Sequence, residues 1–454
     1  MTADADLIIV GAGPAGIAAA AEASRLGASA VLIDRELAGG TCLHRGCVPT
    51  VATMEIRRHR LDAAQGHRWG IPDAAGAPAW DQIIDARDAL VQHLYRGTAH
   101  FLGQLRVPYL AGTASLSLAP QPVVLVNGAH GTELKTSAVL LATGAAFSLP
   151  KIPGIEASQV WTTDHALGML ELPGRIIVYG GSFIGVEWAQ FFRAMGSQVI
   201  LLEPGAQLLP GEDADIAEAL AFLLTETGIE VRTGWPVSSL ESDSPAIWAV
   251  GPGERIRADR FLVADCRRPR GQALLGEAAL RDDGAIRTDD RQQSPVAGVL
   301  AAGDVTGGRM LSHWARGQGE VAARNALGET AHFDPRGHAR VYHCAPEVAA
   351  VGLTAAQAAA QGYEVVVGQA DLSFNARAVL LDQNQGLVKV VAERRYGKIL
   401  GVHMLAPMAS EIIGQAALAV RLEGLAEDLA AILPGHPTVS EALADAAREV
   451  TRQL

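Results

Sequence analysis

Cysteine is scarce in this chain. There are four, at positions 42, 47, 266 and 344, and only the first two lie close together. A structural zinc site asks for four ligands; Cys42 and Cys47 bring two at an unusual spacing, and even His44 between them leaves the set short. Positive charge is also in short supply: 37 Lys+Arg against 49 Asp+Glu give a net charge of -12. That balance leaves no electrostatic footprint for nucleic acid or an anionic membrane surface and favours small molecules or protein partners. No apolar run approaches the ~20 residues a membrane helix needs. The opening "MTADADLIIVGAGPAG" lacks the basic and apolar regions of a secretory signal. A cytoplasmic protein is therefore expected, and in a reducing compartment a close cysteine pair is more often catalytic or metal-binding than structural.

What the sequence does have is size and repetition. At 454 residues and 49% hydrophobic, a prior of about one domain per ~150 residues suggests roughly three. The stretch "DLIIVGAGPAGIAAAAEASRLGASAVLIDR" is an apolar run, a glycine turn, a helix-like segment and a second apolar run ending on Asp34, the form of a βαβ unit. "RIIVYGGSFIGVEWAQFFRAMGSQVILLEP" repeats it, with Gly11, Gly16, Gly27 and Asp34 answered by Gly180, Gly185, Gly196 and Glu203, each 169 positions on. In Gly11-x-Gly13-x-x-Gly16 the glycines suit a tight bend, close backbone approach to a pyrophosphate and close helix packing, and Asp34 stands where a carboxylate accepts from a ribose hydroxyl. In the second copy Ser182 replaces the middle glycine. Glu203 repels a 2′-phosphate and bonds a free 2′-hydroxyl, and "PGAQLLPGED" after it has no arginine, so NAD is expected there rather than NADP.

"AVLLATGAAFSLPKIPG" between the copies reads as a crossing between domains, and in "SPVAGVLAAGDVTGGRMLSHWARGQG" a strand ends on Gly303-Asp304 and runs into a helix. From about residue 337 strand-like runs such as "QGLVKVVAE" and "KILGVHML", followed by helices, mark a separate α+β unit. The expected fold is α/β: two Rossmann-like dinucleotide-binding domains, one built from 1–147 and 271–336 and one from 148–270, plus an α+β domain over 337–454.

"GGTCLHRGCVPT" holds the cysteine pair. Five residues of regular helix climb ~7.5 Å, beyond the ~4.4 to 6.8 Å between Cα atoms that a disulfide tolerates. Bonding Cys42 to Cys47 thus requires a distorted turn, which Gly39, Gly40 and Gly46 make feasible. Cys266 and Cys344 are most simply small buried side chains. A disulfide after an FAD-type unit and before an NAD-type unit forms an electron path from dithiol through disulfide and flavin to nicotinamide.

"GGTCLHRGCVP", the two fingerprints, "AAGDVTGG", "NARA" at 375–378, "ILGVHMLAP" at 399–407 and "HPTVSEALADAA" together resemble the pyridine nucleotide-disulfide oxidoreductases, above all their dihydrolipoamide dehydrogenase branch. The resemblance implies that Cys42 is the interchange sulfur and Cys47 the one facing the flavin. It implies that His436 acts as base with Glu441 as its partner, both serving the active site of the other subunit of a homodimer whose interface is the last domain. It further implies an FAD site built from Gly11, Gly13, Gly16, Asp34, Gly40, Thr41, Thr143, Gly144, Gly303, Asp304, Leu311, Ser312 and His313, an NAD site with Gly180, Gly185, Glu187 and Glu203, and no metal. The chemistry agrees: a histidine that takes a proton from an incoming dithiol speeds thiol-disulfide exchange, and a carboxylate on its other nitrogen fixes the tautomer. Thr438-Val439-Ser440-Glu441 also fits a helix capping box, a competing role for Glu441.

Two departures, at Val51 and Cys266, and two exclusions bear on the substrate. The family usually has lysine where this chain has Val51, which would leave Glu187 without a partner; Arg45 is a candidate for the missing positive charge. Cys266 stands where glycine is common. After Cys344 there is no cysteine pair of the kind mercuric reductases carry, and Glu203 argues against the NADPH of glutathione-type reductases. A lipoyl group on a carrier protein is the leading substrate, with another disulfide, or a redox sensor or assembly subunit of little turnover, as the alternatives.

Overall fold

The structure is a computed structural model and describes residues 4–72, 76, 78–117, 123–127, 131–264, 267–270 and 275–454. Cys266 lies outside the described residues. The chain divides into two compact units. The first comprises Met1–Ala52, Asp81–Leu149 and Cys266–Pro335, the second Thr53–Trp80, Pro150–Asp265 and Arg336–Leu454.

The first unit opens with strand β1 (Ala5–Val10), helix α1 (Pro14–Arg25) and strand β2 (Ala30–Asp34), followed by the short helix α2 (Gly40–His44) and the opening residues of the longer α3 (Cys47–Ala64), whose remainder from Thr53 on belongs to the second unit. Pro14 opens α1, where a missing N–H costs nothing. β1 pairs in parallel with β2 and with Thr132–Leu141, and the latter pairs in parallel with Val299–Ala301. Leu7, Ile8 and Ile9 are fully buried, as the uninterrupted apolar strands of a parallel sheet covered on both faces must be. The N-terminal half of Thr132–Leu141 instead pairs antiparallel with Val123–Asn127, which extends a hairpin from the sheet. α1 packs on the helix Ser312–Ala326 so closely that a Cβ on Gly319 would lie 2.1 Å from the Ala15 carbonyl oxygen. A second antiparallel pair joins Ala145–Phe147 to Arg267–Pro269.

The second unit repeats the opening motif in β3 (Arg175–Tyr179), α4 (Phe183–Met195) and β4 (Gln198–Leu202), followed by α5 (Ala214–Glu226). Its five-stranded sheet is parallel, in the order Glu230–Arg232, β4, β3, Arg260–Val263, Val160–Trp161. Trp188, Phe191 and Phe192 of α4 fill its core. The same unit holds a five-stranded antiparallel sheet that includes β5 (Arg340–Tyr342) and β6 (Leu387–Glu393). Helices Ala409–Arg421 and α6 (Ser440–Thr451) cover it with Ile412, Ile413, Ala446 and Val450. Three stretches are grouped otherwise than the sequence segments suggest: Thr53–Trp80 lies with the second unit, Arg267–Pro269, through its pairing with Ala145–Phe147, with the first, and Arg336–Leu454 shares the second unit with Pro150–Asp265.

Candidate active site

The glycine turn after β1 is defined by backbone collisions that side chains would cause. A Cβ on Gly16 would sit 1.8 Å from the Gly11 carbonyl oxygen, and one on Gly11 (φ 111°) 2.2 Å from the Ala142 carbonyl oxygen. Gly13 differs, because a Cβ there would meet nothing within 4 Å. Its backbone faces open space at the amino end of α1, the cradle a pyrophosphate needs. Asp34, at the end of β2, accepts from the Ala12 N–H at 2.7 Å and the Glu36 N–H at 3.0 Å. The Thr143 hydroxyl is buried and has no hydrogen-bond partner among the described residues. A buried orphan hydroxyl at the end of the central strand, together with the open glycine, fits a bound dinucleotide.

The cysteine turn leans on this cradle. The Gly39 N–H donates to the Ala12 carbonyl at 2.8 Å, and a Cβ on Gly40 (φ 58°) would lie 2.7 Å from the Gly13 Cα. Cys42 sits in α2 and Cys47 is the first residue of α3, with the chain broken between them at Arg45 (φ −142°) and Gly46. This break is the distortion the spacing requires: it lets the sulfurs of Cys42 and Cys47, free thiols here, hydrogen-bond each other. Cys42 is half-buried and Cys47 exposed.

The two sulfurs are made unequal by their surroundings. Hydrogen bonding from Cys42 holds the Cys47 thiol down to about 7 from its ordinary 9.0, helped by the Ser312 hydroxyl, its own backbone N–H and the Arg267 guanidinium. A helix amino terminus favours a thiolate in the same way. The Cys42 thiol is pushed strongly upward, first by its bond to Cys47 and then by burial. Ser312, expected as a flavin residue, thus stands at the sulfurs. Arg267 is a functional candidate the sequence reading missed, since no local pattern in "CRRPR" announces that its guanidinium acts on Cys47.

Two expectations are overturned here. Arg45 does not supply charge to the pair: its guanidinium is exposed and bonded to Glu36 at 2.5 Å. Glu187 is not without a partner. Its buried carboxylate accepts from the His343 N–H at 2.8 Å and lies in the field of the buried Arg57 guanidinium, which comes from α3 and donates to Gln190 at 2.7 Å.

Gly303 (φ 81°) donates its N–H to Gln318 at 2.9 Å, and a Cβ on it would lie 3.1 Å from the Ala15 methyl group and 3.3 Å from that of Ala315. Asp304 follows in a short 3-10 turn, and burial holds its carboxyl above the ordinary range. Gly144 (φ 70°), Thr41, Leu311 and His313 complete the first unit's candidates, Leu311 as the residue that precedes the helix Ser312–Ala326.

The second unit holds the remaining candidates. A Cβ on Gly185 would lie 1.8 Å from the Gly180 carbonyl oxygen, the same contact as Gly16 makes with Gly11. Glu203 is buried and accepts from the Gly181 N–H at 2.6 Å and the Gly205 N–H at 2.5 Å, so it orders the turn as Asp34 does in the first copy. Ser182 precedes α4 with a buried hydroxyl that has no partner among the described residues. Nδ1 of His436 is 2.9 Å from one Glu441 oxygen, while the other accepts from the Thr438 N–H at 2.9 Å. Glu441 thus divides its oxygens between the His436 ring and the Thr438 N–H, whereas the Thr438 hydroxyl donates to the Gly435 carbonyl and α6 has no side-chain cap. The Thr438 N–H and then His436 hold the Glu441 carboxyl below its usual value.

Two dinucleotide folds, a cysteine pair on the first glycine cradle and a histidine-carboxylate pair define a flavin- and nicotinamide-linked disulfide oxidoreductase. The family model for pyridine nucleotide-disulphide oxidoreductases matches residues 5–319, and the model for that family's dimerisation domain matches 338–447; the chain belongs to this family. It is an NAD-dependent flavoprotein that uses FAD. It is 34% identical over 448 residues to a dihydrolipoyl dehydrogenase of Bacillus subtilis, covering 97% of each. LpdA from Mycobacterium tuberculosis superposes with a TM-score of 0.90 at 25% identity over 99% of both chains. The HOCl-induced flavoprotein disulfide reductase RclA from Escherichia coli does so with a TM-score of 0.86 at 25% identity, covering 98% of this chain and 100% of that one. No helix among the described residues is long and apolar enough to cross a membrane.

Proposed function

We propose that the protein exchanges electrons between NAD(H) and a dithiol/disulfide substrate, a lipoyl group on a carrier protein foremost, working as a homodimer. The observation that carries this reading is the seating of the cysteine pair on the glycine cradle, with Cys47 the first residue of α3. In thiol-disulfide exchange the sulfur of lower pKa leaves faster. A substrate thiolate therefore attacks Cys42, the Cys42–Cys47 bond breaks, and Cys47 departs as a thiolate steadied by the amino terminus of α3, Ser312 and Arg267. The second substrate thiol gives a proton to His436 of a second copy and displaces Cys42, which releases the substrate as a disulfide. Glu441 fixes the imidazole and stabilises its protonated form. FAD, when bound, supplies the two-electron relay between the dithiol and NAD. Gly11, Gly13, Gly16, Asp34, Gly40, Thr41, Thr143, Gly144, Gly303, Asp304 and Leu311 with His313 are the residues that would hold FAD; Gly180, Gly185, Glu187 and Glu203 would serve NAD.

The dihydrolipoyl dehydrogenases among the relatives support the lipoyl substrate, and the likeness to RclA keeps a second disulfide class in view. Steady-state NADH oxidation with lipoamide, glutathione disulfide and a lipoylated carrier domain decides between them. A kcat/KM for lipoyl substrates at least about tenfold above the others is expected; the reverse order contradicts the lipoyl assignment.

A further inference from the structure

The segment after Glu203 is held by charged groups from the antiparallel sheet of the same unit. Glu203 orders the glycine turn through Gly181, and the Leu209 N–H donates back to the Gly181 carbonyl at 2.8 Å. From there the Glu212 N–H donates to the Leu209 carbonyl at 3.0 Å. Arg340 of β5 forks onto the Glu212 carboxylate at 2.7 and 2.8 Å, and the Tyr342 hydroxyl donates to it at 2.7 Å. The Tyr342 ring stacks on Phe183, the first residue of α4, with centroids 5.0 Å apart and planes 7° from parallel. Next door, Lys389 of β6 donates to Asp213 at 3.0 Å and to Asp215 at 2.6 Å. Glu212, Asp213, Arg340 and Lys389 are all buried.

Ion pairs this dry rarely add stability over apolar residues of the same size, because desolvation offsets the attraction, but separating one leaves an uncompensated buried charge, so each pair opposes any arrangement that parts its members. Here successive hydrogen bonds run from Arg340 and Tyr342 of β5 through Glu212 and Leu209 to the Gly181 turn, Lys389 of β6 fixes the adjoining Asp213, and the Tyr342 ring meets the start of α4 by stacking. Tyr342 touches both, which fixes the Gly205–Asp213 segment relative to α4. We propose that Arg340, Tyr342 and Lys389 are positioning residues for the nicotinamide dinucleotide: they hold this segment so that Glu203 and the Gly181 turn are presented ready-made to the ribose and pyrophosphate. The proposal rests on the assignment of Glu203 and its turn to NAD.

Holoenzyme carrying Tyr342→Phe, which keeps the ring stack, or Lys389→Met tests this by steady-state kinetics. The expected result is an NADH KM raised about fivefold in each, with kcat at saturating NADH and the KM for the disulfide within about twofold of the parent, the signature of lost cofactor binding alone. FAD content should be unchanged, and Lys389→Arg should restore the NADH KM. An unchanged NADH KM with a lower thermal midpoint overturns the proposal, as does a proportional loss in every parameter. Glu203→Ala in parallel separates the two readings. If it leaves the NADH KM unchanged, the NAD assignment falls; if it raises that KM while Tyr342→Phe and Lys389→Met do not, only the positioning role falls.

Discussion

A thiolate next to a cation responds to the loss of that cation, and this is how Cys47 tells Arg267 from Arg45. The Cys47 thiol titrates at about 7, below its ordinary 9.0, so the thiolate is present above that pH and is lost as the pH falls through it. The Cys42 hydrogen bond is the largest cause of that lowering and Arg267 a further one, so in enzyme reduced under argon Arg267→Gln should move the midpoint of the ultraviolet thiolate absorbance upward. Arg45→Val should leave it in place, because that guanidinium is paired with Glu36. A second residue-scale test concerns His436: His436→Gln is expected to lower kcat for a dithiol by about 10² or more while NADH still reduces the bound flavin, checked by comparing lipoamide turnover with anaerobic bleaching. The cysteine pair was legible in the sequence because its spacing is local, and His436 with Glu441 was singled out through the family resemblance. Arg267 and Arg57 were not, because each acts through a partner far off along the chain.

At the scale of elements, the two βαβ units were readable from glycine spacing because backbone sterics leave no other residue type at two of the positions. Gly16 and Gly185 each face a carbonyl oxygen at 1.8 Å from where a Cβ would be, whereas Gly13 faces open space. Gly16→Ala should therefore destabilise the first unit by more than about 3 kcal/mol and give insoluble protein. Gly13→Ala should fold with an unaltered thermal midpoint as apoprotein yet bind FAD at least about tenfold more weakly, as fluorescence titration would show. The cap of α6 was legible only in part: Glu441 bonds the Thr438 N–H as a capping box predicts, but the Thr438 hydroxyl turns to Gly435, a choice of rotamer that sequence pattern does not encode.

Across the whole molecule, the order of the segments was readable and their grouping less so. Pairing of Arg267–Pro269 with Ala145–Phe147, and the clustering of Thr53–Trp80 with the second unit, depend on contacts between segments over a hundred residues apart. The dimerisation-domain match over 338–447 predicts a dimer, which sedimentation checks. The central claim is that Cys42 and Cys47 form a working redox couple with the flavin. Anaerobic titration with NADH measures it most directly. The account predicts uptake of about two NADH per chain, one filling the disulfide and one the flavin, with both thiols becoming alkylatable after the first, and only about one in Cys42→Ser. Equal uptake by the parent and Cys42→Ser proteins would contradict it.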